Sequence, residues 1–292
     1  MRALVTGASG YVGGQIARRL LARGDGVHAI LRPGSDAARL PAGIVLHRFD
    51  GTIGHMQRIV AAAQPEVTFH LASLFIAEHK PEQVLPLIEA NLAFGTMLAD
   101  ALTQSGPALL VNAGTGWQHY GNADYDPVCL YAATKQAFEA LLAFYVQARG
   151  LRAITLKIFD TYGPDDPRPK LTRALIAAAK AGTPLDLTAG DQRLDLLHID
   201  DAVAAFLAAA ERLRLGQGGA MERYALSSGR RVSVRELAGI VELAAGRKLD
   251  ARWGSRAYRQ REMMEPWSGG AALPGWRAAV TLEDGIAALV RG

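Results

Sequence analysis

The sequence predicts an α/β protein: a doubly wound parallel Rossmann sheet with a smaller C-terminal substrate-binding lobe. Three observations lead there. The chain runs at its amino end from a short apolar strand through a glycine-rich turn into a helix, MRALVTGASGYVGG. Apolar runs then alternate with stretches of helical periodicity as far as about residue 162, the pattern of parallel strands joined by crossover helices. After Tyr162 that rhythm gives way to a charged, turn-rich stretch, GPDDPRPK, and to shorter elements.

In chain order, the strand 2–6 leads into a turn opened by Thr6-Gly7, and a helix follows over 11–23, closed by Gly24. Strands are expected at 27–31, 44–47, 67–71, 108–112 and 153–159. The intervening helices are 52–63, 81–105 and 130–149, the last closed by Gly150. Further on come a helix at 171–181, a short strand at 193–197 and a helix at 200–213. A loose glycine link at 216–219, a helix at 234–245 and an irregular segment rich in Arg, Trp, Gly and Pro complete the chain. The dinucleotide-binding domain therefore takes 1–162 with a return segment at about 190–214. The substrate lobe takes about 163–189 and 215–292.

Half of the 292 residues are hydrophobic, enough for a sizeable core and too many for a disordered chain. Cys129 is the only cysteine, so no intrachain disulfide forms, which fits a reducing compartment. No charged-then-apolar leader is visible and charges interrupt the apolar runs, so the expectation is a cytoplasmic protein without a membrane partner. The 32 basic and 28 acidic residues leave a formal charge of +4. The arginines are dispersed and not interleaved with aromatics, which argues against a nucleic-acid partner. A mildly basic cleft for phosphorylated ligands accounts for the excess, as does a solvated surface.

Gly7, Gly10 and Gly13 give the spacing G-x-x-G-x-x-G. In such a turn one glycine allows the reversal, one admits a phosphate to the backbone, and one lets helix and strand pack closely. The helix start then offers N–H groups and a positive dipole end to an anion. An acid about twenty residues on would hold adenosine ribose hydroxyls; instead Arg32 stands near that place, with Ser35 beside it. A guanidinium suits a ribose phosphate, so NADP(H) is favoured, with NAD(H) second because Asp36 could reach a ribose. Asp50 is placed to meet the adenine, or to cap the helix beginning near Thr52. Tyr131 and Lys135 are four apart in LYAATKQAFEALLAFY, hence on one helix face. The ammonium is expected to lower the phenol below its usual ~10 and to make it a proton donor and acceptor at neutral pH. The lysine can also hold nicotinamide ribose hydroxyls. Upstream, VNAGTG exposes Thr115 at a strand end, where its hydroxyl can hydrogen-bond the reacting oxygen. Asn91 can steady the site from the preceding helix.

These pieces together resemble the extended short-chain dehydrogenases/reductases, in the nucleotide-sugar epimerase/dehydratase/reductase group. TGASGYVGG, HLAS at 70–73, NLAFGT at 91–96, YAATK, IFDTYGP at 158–164, GDQRLDLLHIDD at 190–201 and the tail LPGWRAAVTLEDGI occur in the family's order. The resemblance implies a dinucleotide site built from Thr6, Gly7, Ser9, Gly10, Tyr11, Val12 and Gly13, with Leu71, Ala72, Ser73 and Asn91 alongside. Arg32, Asp50 and Gly51 fall at its adenosine end. It implies a catalytic set of Thr115, Tyr131 and Lys135. Substrate contacts would come from Thr115, Tyr131, Asp160, Lys170, Arg193 and Arg259, with Arg193 gripping the substrate diphosphate and no metal involved. Asp160 stands where the family often has Asn. Asp195, His198 and Asp200 read as mainly structural. Relatives form homodimers through a four-helix interface, and Phe138, Leu141, Leu142 and Tyr145 on 130–149 offer apolar surface for one.

Sugar-nucleotide dehydratases carry an Asp-Glu pair directly after the threonine; here Gly116-Trp117-Gln118 follows Thr115, which disfavours water elimination. A 3,5-epimerase would need further acid/base groups, for which only Cys129 and His119 are near in sequence. The pattern is most similar to reductases of NDP-4-keto-6-deoxyhexoses. A nucleotide-sugar 4-epimerase with retained NAD is the alternative, and a non-catalytic NADP-binding regulator a third reading.

Overall fold

The computed structural model describes residues 1–32, 34–38, 40–104, 106 and 108–292. The first half alternates as expected: β1 (Arg2–Thr6), α1 (Tyr11–Ala22), β2 (Gly26–Leu31), β3 (Val45–Arg48), α2 (Ile53–Ala63) and β4 (Val67–His70). A 3-10 turn at Pro81–Gln83 opens a long helical stretch made of α3 (Val84–Ile88), a π turn (Glu89–Ala93) and α4 (Phe94–Gln104). Its expected end, Ser105, lies outside the described residues. β5 (Leu109–Thr115), α5 (Leu130–Arg149), β6 (Arg152–Ile158), β7 (Asp160–Tyr162), α6 (Leu171–Ala181), β8 (Leu185–Asp186), β9 (Arg193–His198) and α7 (Ile199–Arg214) follow. The chain continues with β10 (Met221–Leu226), β11 (Arg231–Ser233), α8 (Val234–Ala245), β12 (Ala251–Arg252) and α9 (Leu282–Arg291).

Seven strands form one parallel sheet in the order β10-β6-β5-β4-β1-β2-β3. The direction of winding reverses between β1 and β4, which opens a crevice at the carboxyl edge there. Across that edge Thr6 is level with Ile30 and His70, and His70 with Asn112. β5 runs on to Thr115, three residues past the expected strand end, and pairs there with Ile158. The strand therefore carries its threonine beyond the crevice floor.

Helices cover both faces. α1 and α7 pack on one, around Val5, Phe69, Val111, Leu197 and Phe206; α2, α4 and α5 pack on the other, around Leu4, Met56, Leu98, Leu110 and Phe138. A third core, with Tyr162, Leu175, Leu196, Leu237 and Ile286, joins α6, α8 and α9 to β7, β9 and β11. Each fully buried aliphatic side chain contributes about 1.5–3 kcal/mol.

Four expectations are corrected. β10 lies in the stretch assigned to the substrate lobe but pairs with β6 as the edge of the main sheet; in its first half, Met-Glu-Arg, Met221 packs on the core while Arg223 is exposed. α9 replaces part of the irregular tail, started by Thr281, whose hydroxyl accepts the Asp284 N–H. Phe138, Leu142 and Tyr145 are core residues against the sheet, not surface; on α5 the exposed large apolar residue is Phe144. Finally, Pro81–Gln104 is 24 residues long and apolar enough to span a bilayer by length and composition, since only Glu82, Glu89 and Asp100 interrupt it. In the fold its apolar side meets α2 and α5.

Candidate active site

The turn after β1 is shaped by two glycines. Gly7 has φ +73°, and a Cβ there would fall 2.6 Å from the Ala72 nitrogen. A Cβ on Gly13 would fall 2.3 Å from the Gly7 carbonyl oxygen. The turn thus presses on the end of β4, and α1 presses on the turn, at distances no side chain allows. Gly10 caps α1 without a side-chain hydrogen bond, no acid lies in the first helical turn, and Ser9 and Gly10 are exposed. The helix start, with its orphan N–H groups and positive dipole end, is left to an anion from outside. This cradle fits a dinucleotide pyrophosphate. Thr6 braces it: its hydroxyl accepts the Leu71 and Ala72 N–H groups (3.2 and 3.1 Å) and so donates to His70 Nδ1 (2.8 Å). Burial holds His70 down to about 3, with the Lys135 charge adding to the effect, so its ring is neutral. Val12 is half-buried, and the Tyr11 side chain is committed elsewhere. Its hydroxyl donates to the Pro164 carbonyl (3.0 Å) and its ring receives the Arg168 guanidinium (4.8 Å). Only the backbone of Tyr11 remains for the cofactor.

At the far end of the crevice Arg32 follows β2. It is exposed, and its guanidinium has no ion-pair partner among the described residues. The Asp50 carboxylate accepts from the hydroxyl and the N–H of Thr52 (2.7 and 2.8 Å), which together hold its pKa below the ordinary value. Thr52, not Asp50, caps α2, accepting the His55 N–H. Asp50 and Gly51 are both exposed after β3.

The proton-handling groups meet where β4, β5 and α5 end or begin. Thr115 closes β5 and caps a short 3-10 turn, Gly116–Gln118, its hydroxyl accepting the Trp117 N–H (3.2 Å). Tyr131 lies in the first turn of α5. Burial pushes its phenol up to about 12, while hydrogen bonding with the Ser73 and Thr115 hydroxyls pulls it down and nearby Cys129 raises it. This corrects the expected sign: Lys135 is not among the groups that move the phenol. Lys135 is itself buried and lowered by desolvation to about 8, with Glu139 acting the other way. Asn91, in the π turn, clamps the loop after β4. Its side chain accepts the Leu74 N–H (2.7 Å) and the Ser73 hydroxyl (3.1 Å), and donates to the Leu74 carbonyl and Thr134 hydroxyl (both 3.0 Å). Ser73, placed by sequence with the cofactor, thereby sits beside the phenol, and Leu71 and Ala72 lie half-buried before it.

Over this group rises an aromatic rim. Phe75, 54% exposed, meets Tyr131 and Trp117 edge-on at 5.0 and 5.4 Å. The Arg259 guanidinium lies over Trp117 at 5.0 Å and forms a two-pronged pair with Glu262 (2.9 and 2.8 Å). Asp160, on β7, acts electrostatically on Arg259 and accepts from Lys170 (2.7 Å). The structure thus brings Arg259, Asp160 and Lys170, all expected as substrate contacts, within electrostatic reach of one another. Arg193, half-buried on β9, donates to the Arg231 carbonyl (2.7 Å). Cys129 is half-buried, and burial raises its thiol. His119 is nearly fully buried, its ring nitrogens engaged by the Ala123 carbonyl (3.1 Å) and Lys157 (2.7 Å), and so is not a free acid or base. Asp195 and Asp201 tie elements together, Asp195 accepting from Ser227 and Ser228, Asp201 from the Ala279 and Val280 N–H groups. Among the described residues no three His, Cys, Asp or Glu gather into a metal-holding group.

Sequence reasoning missed Phe75 and the buried Gln118, Glu139 and Lys157. For Gln118 a signal was present: Thr115-Gly-Trp-Gln118 is a T-x-x-Q capping box, and the Gln118 side chain accepts the Thr115 N–H (3.0 Å).

An open parallel sheet with a glycine cradle at its switch point, and a tyrosine–lysine helix beside it, defines an enzyme of the extended short-chain dehydrogenase/reductase class. Residues 3–222 match the NAD dependent epimerase/dehydratase family, and the chain belongs to it. The UDP-glucose 4-epimerase of Mycolicibacterium smegmatis is 27% identical over 99% of this chain and 97% of its own length. The CDP-abequose synthase of Salmonella muenchen is 23% identical over 97% and 94%. Among solved structures, the UDP-glucose 4-epimerase of Thermus thermophilus in complex with NAD matches with a TM-score of 0.83 at 26% identity, covering 100% of this chain and 99% of that one.

Proposed function

We propose that the protein is an NAD(P)H-dependent reductase of a nucleotide-activated sugar, reducing the keto group of an NDP-4-keto-6-deoxyhexose. The observation that supports it most is the Tyr131 phenol flanked by the Ser73 and Thr115 hydroxyls beside the glycine cradle. A bound nicotinamide supplies the hydride. The chain's own part is the proton. Burial keeps it on the Tyr131 oxygen until the substrate oxygen gains negative charge, and Thr115 hydrogen-bonds that same oxygen. Lys135 holds the ribose hydroxyls. Lys170, Arg193 and Arg259 supply cations toward the substrate diphosphate. After Thr115 come Gly116 and Trp117, neither of which can move a proton, so water elimination lacks its groups. NADP(H) is the cofactor proposed first, on the exposed Arg32, and NAD(H) second.

A 4-epimerase is the second reading. It needs the same residues, and the relatives named above include epimerases. The two readings separate in one assay. With NADPH and dTDP-4-keto-6-deoxyglucose, the reductase consumes nicotinamide absorbance. The epimerase instead interconverts UDP-glucose and UDP-galactose with no net change. In either case Tyr131→Phe lowers turnover by roughly 10²–10⁴ while dinucleotide binding persists. Loss of neither absorbance nor sugar identity across such substrates overturns both.

A further inference from the structure

Between the end of β5 and the middle of α5 lies a string of buried polar side chains that handle no proton of the reaction. Gln118, with no exposed surface, accepts the Thr115 N–H through Oε1 (3.0 Å) and donates through Nε2 both to Glu139 Oε1 (2.8 Å) and to Gln136 Oε1, also on α5. Glu139, also fully buried, stands two turns along α5 from Tyr131. Its second oxygen accepts from Arg223 Nε on β10 (2.9 Å), and Lys157 Nζ on β6 lies 3.6 Å from its first. Lys157 also meets His119 Nε2 (2.7 Å), and the His119 ring stacks on Trp267 of the tail at 3.7 Å and 8°. Lys135, one turn before Glu139, feels its charge.

Two physical arguments give this string a purpose. A carboxyl group buried away from water is costly unless donors and opposite charges enclose it, and Glu139 has Gln118, Arg223 and Lys157. A buried network whose members are all partnered holds them in one arrangement. Its last link is the backbone N–H of Thr115. The Thr115 Cα, one bond further along, carries the side chain, and the Trp117 N–H (3.2 Å) in the same turn fixes the direction of its hydroxyl. That hydroxyl faces the Tyr131 phenol closely enough to favour its ionised form.

We infer that Glu139 is a positioning residue which, acting through Gln118, holds the Thr115 hydroxyl against the Tyr131 phenol. The role is the same for any substrate carbonyl, so it does not depend on which sugar is reduced. The stack of Trp267 on His119 attaches the other end of the string to the tail.

The test labels the full-length chain with 3-fluorotyrosine at position 131 and follows its fluorine resonance. Thr115→Val moves the resonance by removing the contact. Gln118→Ala is expected to move it too, and the double variant to move it no further than Thr115→Val alone, because both act on one contact. Glu139→Leu is expected to behave as Gln118→Ala, whereas Glu139→Gln, which keeps an acceptor for Gln118, stays near the wild-type position. Should Glu139→Leu fail to fold, the Gln118 pair decides, since it leaves the Glu139 ion pairs in place. Shifts that add in the double variant, or a Gln118→Ala spectrum identical to wild type, overturn the inference. Kinetics give a second readout: kcat of Gln118→Ala falls about tenfold or more with the KM for NADPH unchanged. Failure of the ketoreductase assay alone leaves the fluorine result fully interpretable.

Discussion

His70 shows how one side chain links the site to stability. Its ring is enclosed at the end of β4, bound to Thr6 through Nδ1 and with Nε2 unpartnered. Its folded value of about 3 lies below the ordinary 6.5. Below pH 6.5 the unfolded chain gains a proton that the folded one refuses, so the stability His70 contributes is present above 6.5 and is lost as pH falls toward 3. The loss reaches about 1.4 kcal/mol per pH unit. Melting curves between about pH 7 and 5 should therefore show a steeper pH dependence for the wild type than for His70→Asn; equal slopes would remove His70 from the account. Arg32 carries the second prediction at this scale. Arg32→Asp replaces a phosphate-pairing group with one that suits ribose hydroxyls. The KM for NADPH should rise roughly 10- to 100-fold and that for NADH fall, in line with the ~1.5–3 kcal/mol of a charged hydrogen bond. No change in the ratio of the two would show that the loop does not read the ribose. Tyr131 is where residue-level reading of the sequence went astray. Spacing put an ammonium near it, but spacing carries no desolvation, and burial decides the sign.

Elements were the most legible level. α5 (Leu130–Arg149), α6 (Leu171–Ala181) and α8 (Val234–Ala245) fall where periodicity puts them, and α5 ends at the Gly150 read from sequence, because amphipathic spacing and a left-handed glycine cap are both local. β10 and α9 were not legible. β10 gains its place from β6, a partner more than sixty residues away, and its polar first half resembles a loop. Glu139 and Lys157 were hidden for the same reason: they come together with Gln118 from three elements, and only Gln118 carries a local signal, its capping box with Thr115. The glycine turn, by contrast, is a motif whose geometry can be tested directly. Gly13→Ala forces a methyl to within 2.3 Å of the Gly7 oxygen, so α1 must move away from the turn. The expected cost is about 1–3 kcal/mol in stability with at least tenfold weaker dinucleotide binding, read by thermal melting and fluorescence titration. An unchanged affinity would mean that the cradle tolerates a wider gap than its atoms indicate.

For the whole molecule, the exposed apolar residues Phe144 on α5 and Leu85 on α3 bear on assembly. The three core residues of α5 offered as dimer surface from sequence are occupied within the chain, which leaves Phe144 on α5 and Leu85 on α3 as exposed apolar side chains of this helical layer. We propose a homodimer on that basis. Light scattering should report twice the 31.1 kDa chain mass for wild type and the single mass for Phe144→Glu/Leu85→Glu. A wild-type mass of one chain would refute it.

The tail from Tyr258 to Ser268 is held along its length by earlier parts of the chain. Tyr258 binds the Asp191 N–H, Arg259 overlies Trp117, Arg261 pairs with Asp126, Trp267 stacks on His119, and Ser268 hydrogen-bonds Asn122. A cassette this short, grafted from a relative, would bring its own rim of the mouth with it while leaving the scaffold beneath untouched. Such an exchange would alter the surface over Trp117 and His119 and leave Asp160, Lys170 and Arg193 as they are.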